Sequence, residues 1–195
     1  MAPEQTIALL GGSFNPPHVA HQMLCLWALS SQQVDQVWFI PCYQHAFGKD
    51  LEDFEDRRMM CELAAKDFPT GRVAVSDVER QLGGESRTYH TIKHLQQQHP
   101  DASFKLLIGA DILQEKHKWY RFADVEKMAG LLVAGRSGYP ESGDTFSLPA
   151  VSSTDIRQRL AEGRPVDHLL PWRVLTYLRS KSLFGTIGAS DTVDE

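Results

Sequence analysis

At 195 residues, with 42% hydrophobic and 23% charged residues, the chain is long enough for one compact domain and too apolar for global disorder. A formal charge of −5, from 20 basic and 25 acidic residues, argues against a broad polyanion-binding surface and hence against a nucleic-acid partner, while a small anion needs only a few local donors. Three cysteines, Cys25, Cys42 and Cys61, without C-x-x-C spacing, indicate neither a disulfide frame nor a zinc centre. No run approaches the ~18 apolar residues of a membrane span, so no membrane partner and a cytoplasmic setting are expected.

Short β-type runs recur at Thr6–Leu10, Gln36–Ile40, Arg72–Val78, Phe104–Ile108 and Gly130–Ala134. Segments of helical period fall at His18–Ser31, Glu52–Asp67, Tyr89–His99, Phe122–Met128, Thr154–Glu162 and Pro171–Lys181. This alternation predicts an α/β protein with a five-stranded parallel sheet and a C-terminal helical section. Gly135 to Leu148, rich in Gly, Ser and Pro, reads as a surface loop. Residues 1–185 are expected to form one domain, and the small, acidic tail 186–195 to be poorly ordered.

The first chemical signal is the segment Gly11-Gly12-Ser13-Phe14-Asn15-Pro16-Pro17-His18-Val19-Ala20-His21, between a predicted strand and a predicted helix. Two glycines let backbone approach a ligand, and free N–H groups at the helix start suit phosphate. His18 and His21, on one face of the first turn, offer ring N–H donors and can become cationic near neutral pH. The same residues also fit a plain tight turn followed by a solvated or capping histidine pair. Neither G-x-x-x-x-G-K-[ST] nor G-x-G-x-x-G is present, so the P-loop and dinucleotide fingerprints are excluded. Further on, Ser152-Ser153-Thr154-Asp155 is a capping-box pattern, and Arg157 behind it places a cation in a first turn that disfavours one.

Taken together, the turn from Gly11 to His21 and the segments Thr88-Tyr89-His90-Thr91, Ile108-Gly109-Ala110-Asp111, His117-Lys118-Trp119 and Val151 to Arg157 resemble the nucleotidyltransferase superfamily marked by H-x-G-H after G-G-[ST]-F-[DN]-P. Within it, the chain is most similar to the bacterial nicotinate-nucleotide adenylyltransferases, over nearly its whole length. The resemblance implies a Rossmann-like doubly wound sheet and transfer of AMP from ATP to nicotinate mononucleotide in NAD biosynthesis, with Mg2+ accompanying ATP. It also implies roles for single residues. His18, His21 and Arg157 would be catalytic. Gly11, Gly12, Ser13, Phe14, Gly109, Asp111, Ser153 and Thr154 would join them in binding ATP, with Gly109 against the adenosine and Asp111 on the ribose hydroxyls. Lys49, Thr88, Tyr89 and Trp119 would hold the acceptor, Trp119 by stacking on the pyridine ring. Thr88 is expected to be an N-cap whose neighbouring N–H groups receive the nicotinate carboxylate.

Three departures from the family pattern stand out. Ala20 occupies the signature glycine, where its methyl is expected to reduce clearance against nucleotide; Asn15 replaces the commoner Asp; and Tyr43 to Lys49 stands in for a P-P-H-K stretch. They keep other readings open: nicotinamide mononucleotide or phosphopantetheine as acceptor, or a nucleotide-binding sensor without chemistry. Oligomeric state is not readable from the sequence, and a homo-oligomer is compatible with it.

Overall fold

A computed structural model describes residues 5–31, 34–44, 48, 50–136 and 146–186. The expected acidic tail beyond Thr186, the central part of the loop 135–148, and Lys49 with most of its loop lie outside them. Six strands are described: β1 Gln5–Gly12, β2 Gln36–Pro41, β3 Val73–Val75, β4 Ala102–Gly109, β5 Gly130–Arg136 and β6 Ser147–Leu148. They lie in the order β3-β2-β1-β4-β5-β6, every neighbouring pair parallel.

The expected count of five strands is therefore corrected to six. β6 is only two residues long and pairs with Gly135 and Arg136, too short to leave a periodic signal in a loop-like composition. The third strand also ends early: Val78 opens a five-residue helix, α3 Val78–Leu82, instead of closing a strand. The remaining helices are α1 Val19–Ser31, α2 Phe54–Ala65, α4 Thr88–Gln98, α5 Ala110–Gln114, α6 Phe122–Met128, α7 Ser153–Ala161 and α8 Trp172–Ser180.

Strand periodicity of two sorts the core onto both sheet faces. In β1, Ala8 and Leu10 join the cluster containing Leu24, Trp27 and Ala28 of α1, Met60, Cys61 and Ala64 of α2, and Val174, Leu175 and Leu178 of α8. Ile7 and Leu9, between them, face Ile92 and Leu95 of α4 and Val125 of α6. The C-terminal section belongs to the first cluster through Val166, Leu169 and Leu170. Strand order reverses between β1 and β4, and in an open parallel sheet the crevice beyond the carboxyl ends at that reversal is where ligands bind. The turn Gly11 to His21 leaves β1 there, and Gly109 to Asp111 leaves β4 beside it.

Candidate active site

A cleft opens at this reversal in two halves. One, of about 400 Å³, is lined on its floor by Leu9, Ile40, Leu106 and Ile108 and on its walls by Thr88, Thr91 and Trp119. The other, of about 590 Å³, is lined by Ser13, Phe14, Asn15, His21, Asp50, Leu51, Ser153, Thr154 and Arg157. Ser13 and His21 border both.

Local packing explains the turn. The Asn15–Pro16 peptide is cis and Phe14 has φ 48. The Phe14 ring is buried, meeting His21 edge-on at 4.9 Å and Phe39 edge-on at 5.1 Å. A Cβ on Gly12 would stand 3.1 Å from that ring, whereas one on Gly11 would meet nothing within 4 Å. The two glycines thus serve different ends: Gly12 makes room for Phe14, and Gly11 leaves the cleft open.

His18 and His21 stack with ring centroids 3.8 Å apart. The His18 backbone N–H donates to His21 Nδ1 at 3.1 Å, so the neutral His21 ring carries its proton on Nε2. The α1 start differs from expectation here. Its N–H groups are largely taken: Val19 N–H donates to the Leu169 carbonyl at 3.0 Å, and His21 N–H to the His18 carbonyl at 2.9 Å. A helix start that faces the cleft lies instead at α7. Ser152 caps that helix, its Oγ accepting from Asp155 N–H at 3.1 Å and its carbonyl from Ile156 N–H at 3.1 Å, which leaves the Ser153 and Thr154 N–H groups at the helix N-terminus. The capping box is only half made, because the Asp155 carboxylate pairs with Arg159 at 2.8 Å.

Long-range hydrogen bonds brace this half. Ser153 Oγ donates to the Pro16 carbonyl at 2.8 Å, and Arg157 Nη1 to the Asn15 carbonyl at 2.8 Å. Arg157 is the fifth residue of α7, beyond the first turn expected for it, and its side chain reaches back across the helix end. His21, Ser13, Phe14, Ser153, Thr154 and Arg157 are therefore brought together, with His18 stacked behind His21. Ala20 does not face them: it is 5% exposed and its methyl packs in the core cluster under α1, so the clearance expected to be lost at the signature glycine is not lost.

Gly109 is the N-cap of α5 and Asp111 lies in the first turn of that helix. A Cβ on Gly109 would come within 2.5 Å of Asp111 Oδ1, so the glycine is what admits the carboxylate. Neither residue lines the two halves of the cleft as described.

Thr88 is the first residue of α4, and Arg87, in extended backbone, takes the N-cap position without a side-chain cap. The expected N-cap is thus displaced by one residue, because the Thr88 backbone is already helical. Thr88, Arg87 and Trp119 line the cleft, whereas Tyr89 does not: it lies under the Arg121 guanidinium, 4.2 Å from its ring centroid, and edge-on to Tyr120 at 5.9 Å.

Sequence reasoning missed the place of the buried Glu79 and the half-buried Cys42 in this half. Glu79 in α3 lines the cleft and accepts from the Thr91 hydroxyl at 3.1 Å. Burial pushes its carboxyl above the usual range, opposed by the Ser86 and Thr91 hydroxyls. Cys42 also lines the cleft, its thiol pushed up by burial against the opposing pull of Arg57. The three cysteines are free thiols.

Residues 9–159 match the cytidylyltransferase-like family model. A relative from Anaeromyxobacter dehalogenans, named "Probable nicotinate-nucleotide adenylyltransferase", is 48% identical over 187 residues, 94% of this chain and 99% of its own. One of the same name from Myxococcus xanthus is 40% identical over 95% of this chain and 97% of its own. Among solved structures, the nicotinic acid mononucleotide adenylyltransferase of Plasmodium falciparum complexed with NaAD is similar in fold, with a TM-score of 0.78 at 18% identity over 93% of this chain and 98% of that one. Motifs at the switch point and full-length kinship point the same way, and the chain belongs to the cytidylyltransferase-like nucleotidyltransferases, in their nicotinate-nucleotide adenylyltransferase branch.

Proposed function

We propose that this protein transfers AMP from ATP to nicotinate mononucleotide, giving nicotinate adenine dinucleotide and pyrophosphate. The observation that carries the reading is a cleft whose two halves meet at Ser13 and His21, one half rich in phosphate donors and the other apolar with an aromatic wall. Two substrates seated in the halves would present their reacting phosphates at that junction.

An acceptor phosphate oxygen attacks the α-phosphorus of ATP in line. The new P–O bond forms as the bond to the β-phosphate oxygen breaks, and pyrophosphate leaves. The acceptor phosphate is already ionised at neutral pH, so alignment and charge stabilisation suffice. His21 Nε2–H, held in its tautomer by the His18 N–H, donates to the reacting phosphate; His18 supports the ring from behind. Ser153, Thr154 and Arg157 hold the leaving pyrophosphate. Gly11, Gly12, Ser13 and Phe14 form the seat under the nucleotide, with Gly109 and Asp111 at its adenosine end. On the acceptor side Trp119 stacks on the pyridine, and the N–H groups at the α4 start, near Thr88 and Tyr89, receive the carboxylate; Lys49 is assigned to the acceptor phosphate.

A divalent ion accompanies ATP in this reading. As Mg2+ bound to ATP it would lower the repulsion between the phosphates. The proposal further treats residues 1–185 as one catalytic domain, followed by an acidic tail. It also holds the enzyme to be cytoplasmic, in keeping with its free thiols.

Pyrophosphate release by the purified protein with ATP, Mg2+ and each of nicotinate mononucleotide, nicotinamide mononucleotide and phosphopantetheine tests the reading. Fastest turnover is expected with nicotinate mononucleotide. A faster rate with another acceptor reassigns the substrate, and ATP binding without pyrophosphate from any of them leaves a sensor.

A further inference from the structure

Arg57 lies in α2 between Asp56 and Arg58, in a run of charge typical of a solvated helix face. The structure instead buries it to 1% exposure, among the largest fully buried side chains of the protein. Its Nη1 donates to the carbonyls of Ser13 and Cys42 at 2.9 and 2.8 Å, and its Nε to the carbonyl of Glu52 at 2.9 Å. The Phe54 ring lies 5.6 Å from the guanidinium carbon. Among the described residues no carboxylate stands within ion-pair distance of it, although its charge acts on the Cys42 thiol and on the buried Glu79 carboxyl.

A guanidinium withdrawn from water without a close ion pair is costly, and a fold that merely needed to fill this space would use an apolar side chain. Its position supplies a use. Ser13 and Cys42 border the cleft, so the charge sits just beneath the floor. Because a peptide is planar and trans, fixing the Ser13 carbonyl toward Arg57 turns the Phe14 N–H to the opposite side, and Phe14 lines the phosphate half. Glu52, also tied to Arg57, donates its N–H to Asn15 Oδ1 at 3.2 Å, and the Asn15 carbonyl in turn receives Arg157.

We propose that Arg57 is a positioning residue for ATP. From below the floor its fork sets the Ser13–Asn15 turn that the triphosphate meets, and its charge is answered by that triphosphate across a region of low dielectric. The inference rests on the ATP-dependent function above and concerns ATP first: Arg57 reaches the edge of the acceptor half through the Cys42 carbonyl, but makes no hydrogen bond to α4 or to the segment around Trp119.

The test compares wild type with Arg57→Lys and Arg57→Gln. Affinity for a non-hydrolysable ATP analogue is measured by calorimetric titration, steady-state KM for both substrates by pyrophosphate release, and folding by circular dichroism. Arg57→Gln is expected to weaken analogue binding and raise the ATP KM by about tenfold or more, with the acceptor KM within about twofold and Arg57→Lys intermediate. If the Gln variant does not fold, the Lys variant decides by the same split. Equal rises in both KM values, no change in either, or failure of both variants to fold would each overturn the proposal and leave Arg57 to the fold alone. Wild-type protein that binds no analogue would sink the ATP-dependent function itself, a result distinct from the others.

Discussion

The two halves of the cleft are held by contacts of different reach. On the phosphate side Ser153 bonds to Pro16 across 137 residues of sequence and Arg157 to Asn15 across 142, while Arg57 joins Ser13 to α2 across 44. On the acceptor side Lys118 pairs with Glu115 and Arg121 with Asp124, each three residues away, and Arg87 pairs with Glu85, all with exposed or half-exposed partners. Exposed ion pairs of this kind stabilise by about 0–1 kcal/mol. Part-buried hydrogen bonds between distant segments fix one part of the fold against another; short-range surface pairs act within one segment. In the proposed reading the triphosphate half is thus tied to the C-terminal part of the chain, while the walls of the acceptor half are bonded within residues 43–124, by Tyr43 N–H to Ser86 Oγ and Thr91 to Glu79 as well as by these surface pairs.

His21 borders both halves, so its loss tests the comparison most severely. His21→Ala is expected to lower turnover by about 10² or more with any accepted substrate, measured as pyrophosphate release. An unchanged rate would remove the ring from the chemistry. Gly11→Val directs a branched side chain into open space on the cleft side and is expected to cost about tenfold in kcat/KM while the melting temperature stays within a few degrees. If activity survives, ligand does not pass over Gly11.

Trp119→Ala should act on one side only. Its half-buried ring meets Phe122 edge-on at 5.8 Å, and removing it is expected to raise the acceptor KM severalfold, about 1 kcal/mol, with the ATP KM unchanged. A parallel rise in both would mean the halves are not independent.

The smallest effect lies outside the cleft, where α8 packs on α2. The Tyr177 hydroxyl donates to Asp56 Oδ1 at 2.6 Å, and burial, then this bond, push it from 10.0 to about 12. A folded-state value raised above the unfolded one favours the protonated fold, so this stabilisation is complete below pH 10 and fades as pH rises through about 12. Tyr177→Phe should flatten the alkaline limb of a melting-temperature profile and leave both KM values alone; an unaltered limb would show that the bond contributes nothing.

Strands β1, β2, β4 and β5 are legible in sequence because each has four apolar residues within five positions, and the long helices because their apolar spacing holds over several turns. α3, α5 and β6, at five, five and two residues, are too short to carry a period. In the site, motif residues such as His21 and Arg157 could be named, but how they are held could not. Ser152 to Asp155 announces a cap, yet no spacing tells that Ser153 grips Pro16. Arg57 has no local signal, since its burial follows from three carbonyls contributed by separate turns. The orientation of Ala20 is likewise a matter of helix phase, which a one-residue uncertainty at the α1 start leaves open.

The bond from Val19 N–H to the Leu169 carbonyl ties the last third of the chain to the start of the helix that carries His21, a link that motif reading does not suggest. A version truncated after Pro165 would retain every motif quoted above yet strip Leu169 and Leu170 from the core cluster shared with α1, and Val174, Leu175 and Leu178 from the part of it shared with α2, and reopen the amino end of α1. Such a truncation should be insoluble or inactive through loss of the platform on which the histidine pair stands, rather than through loss of any group that touches a nucleotide.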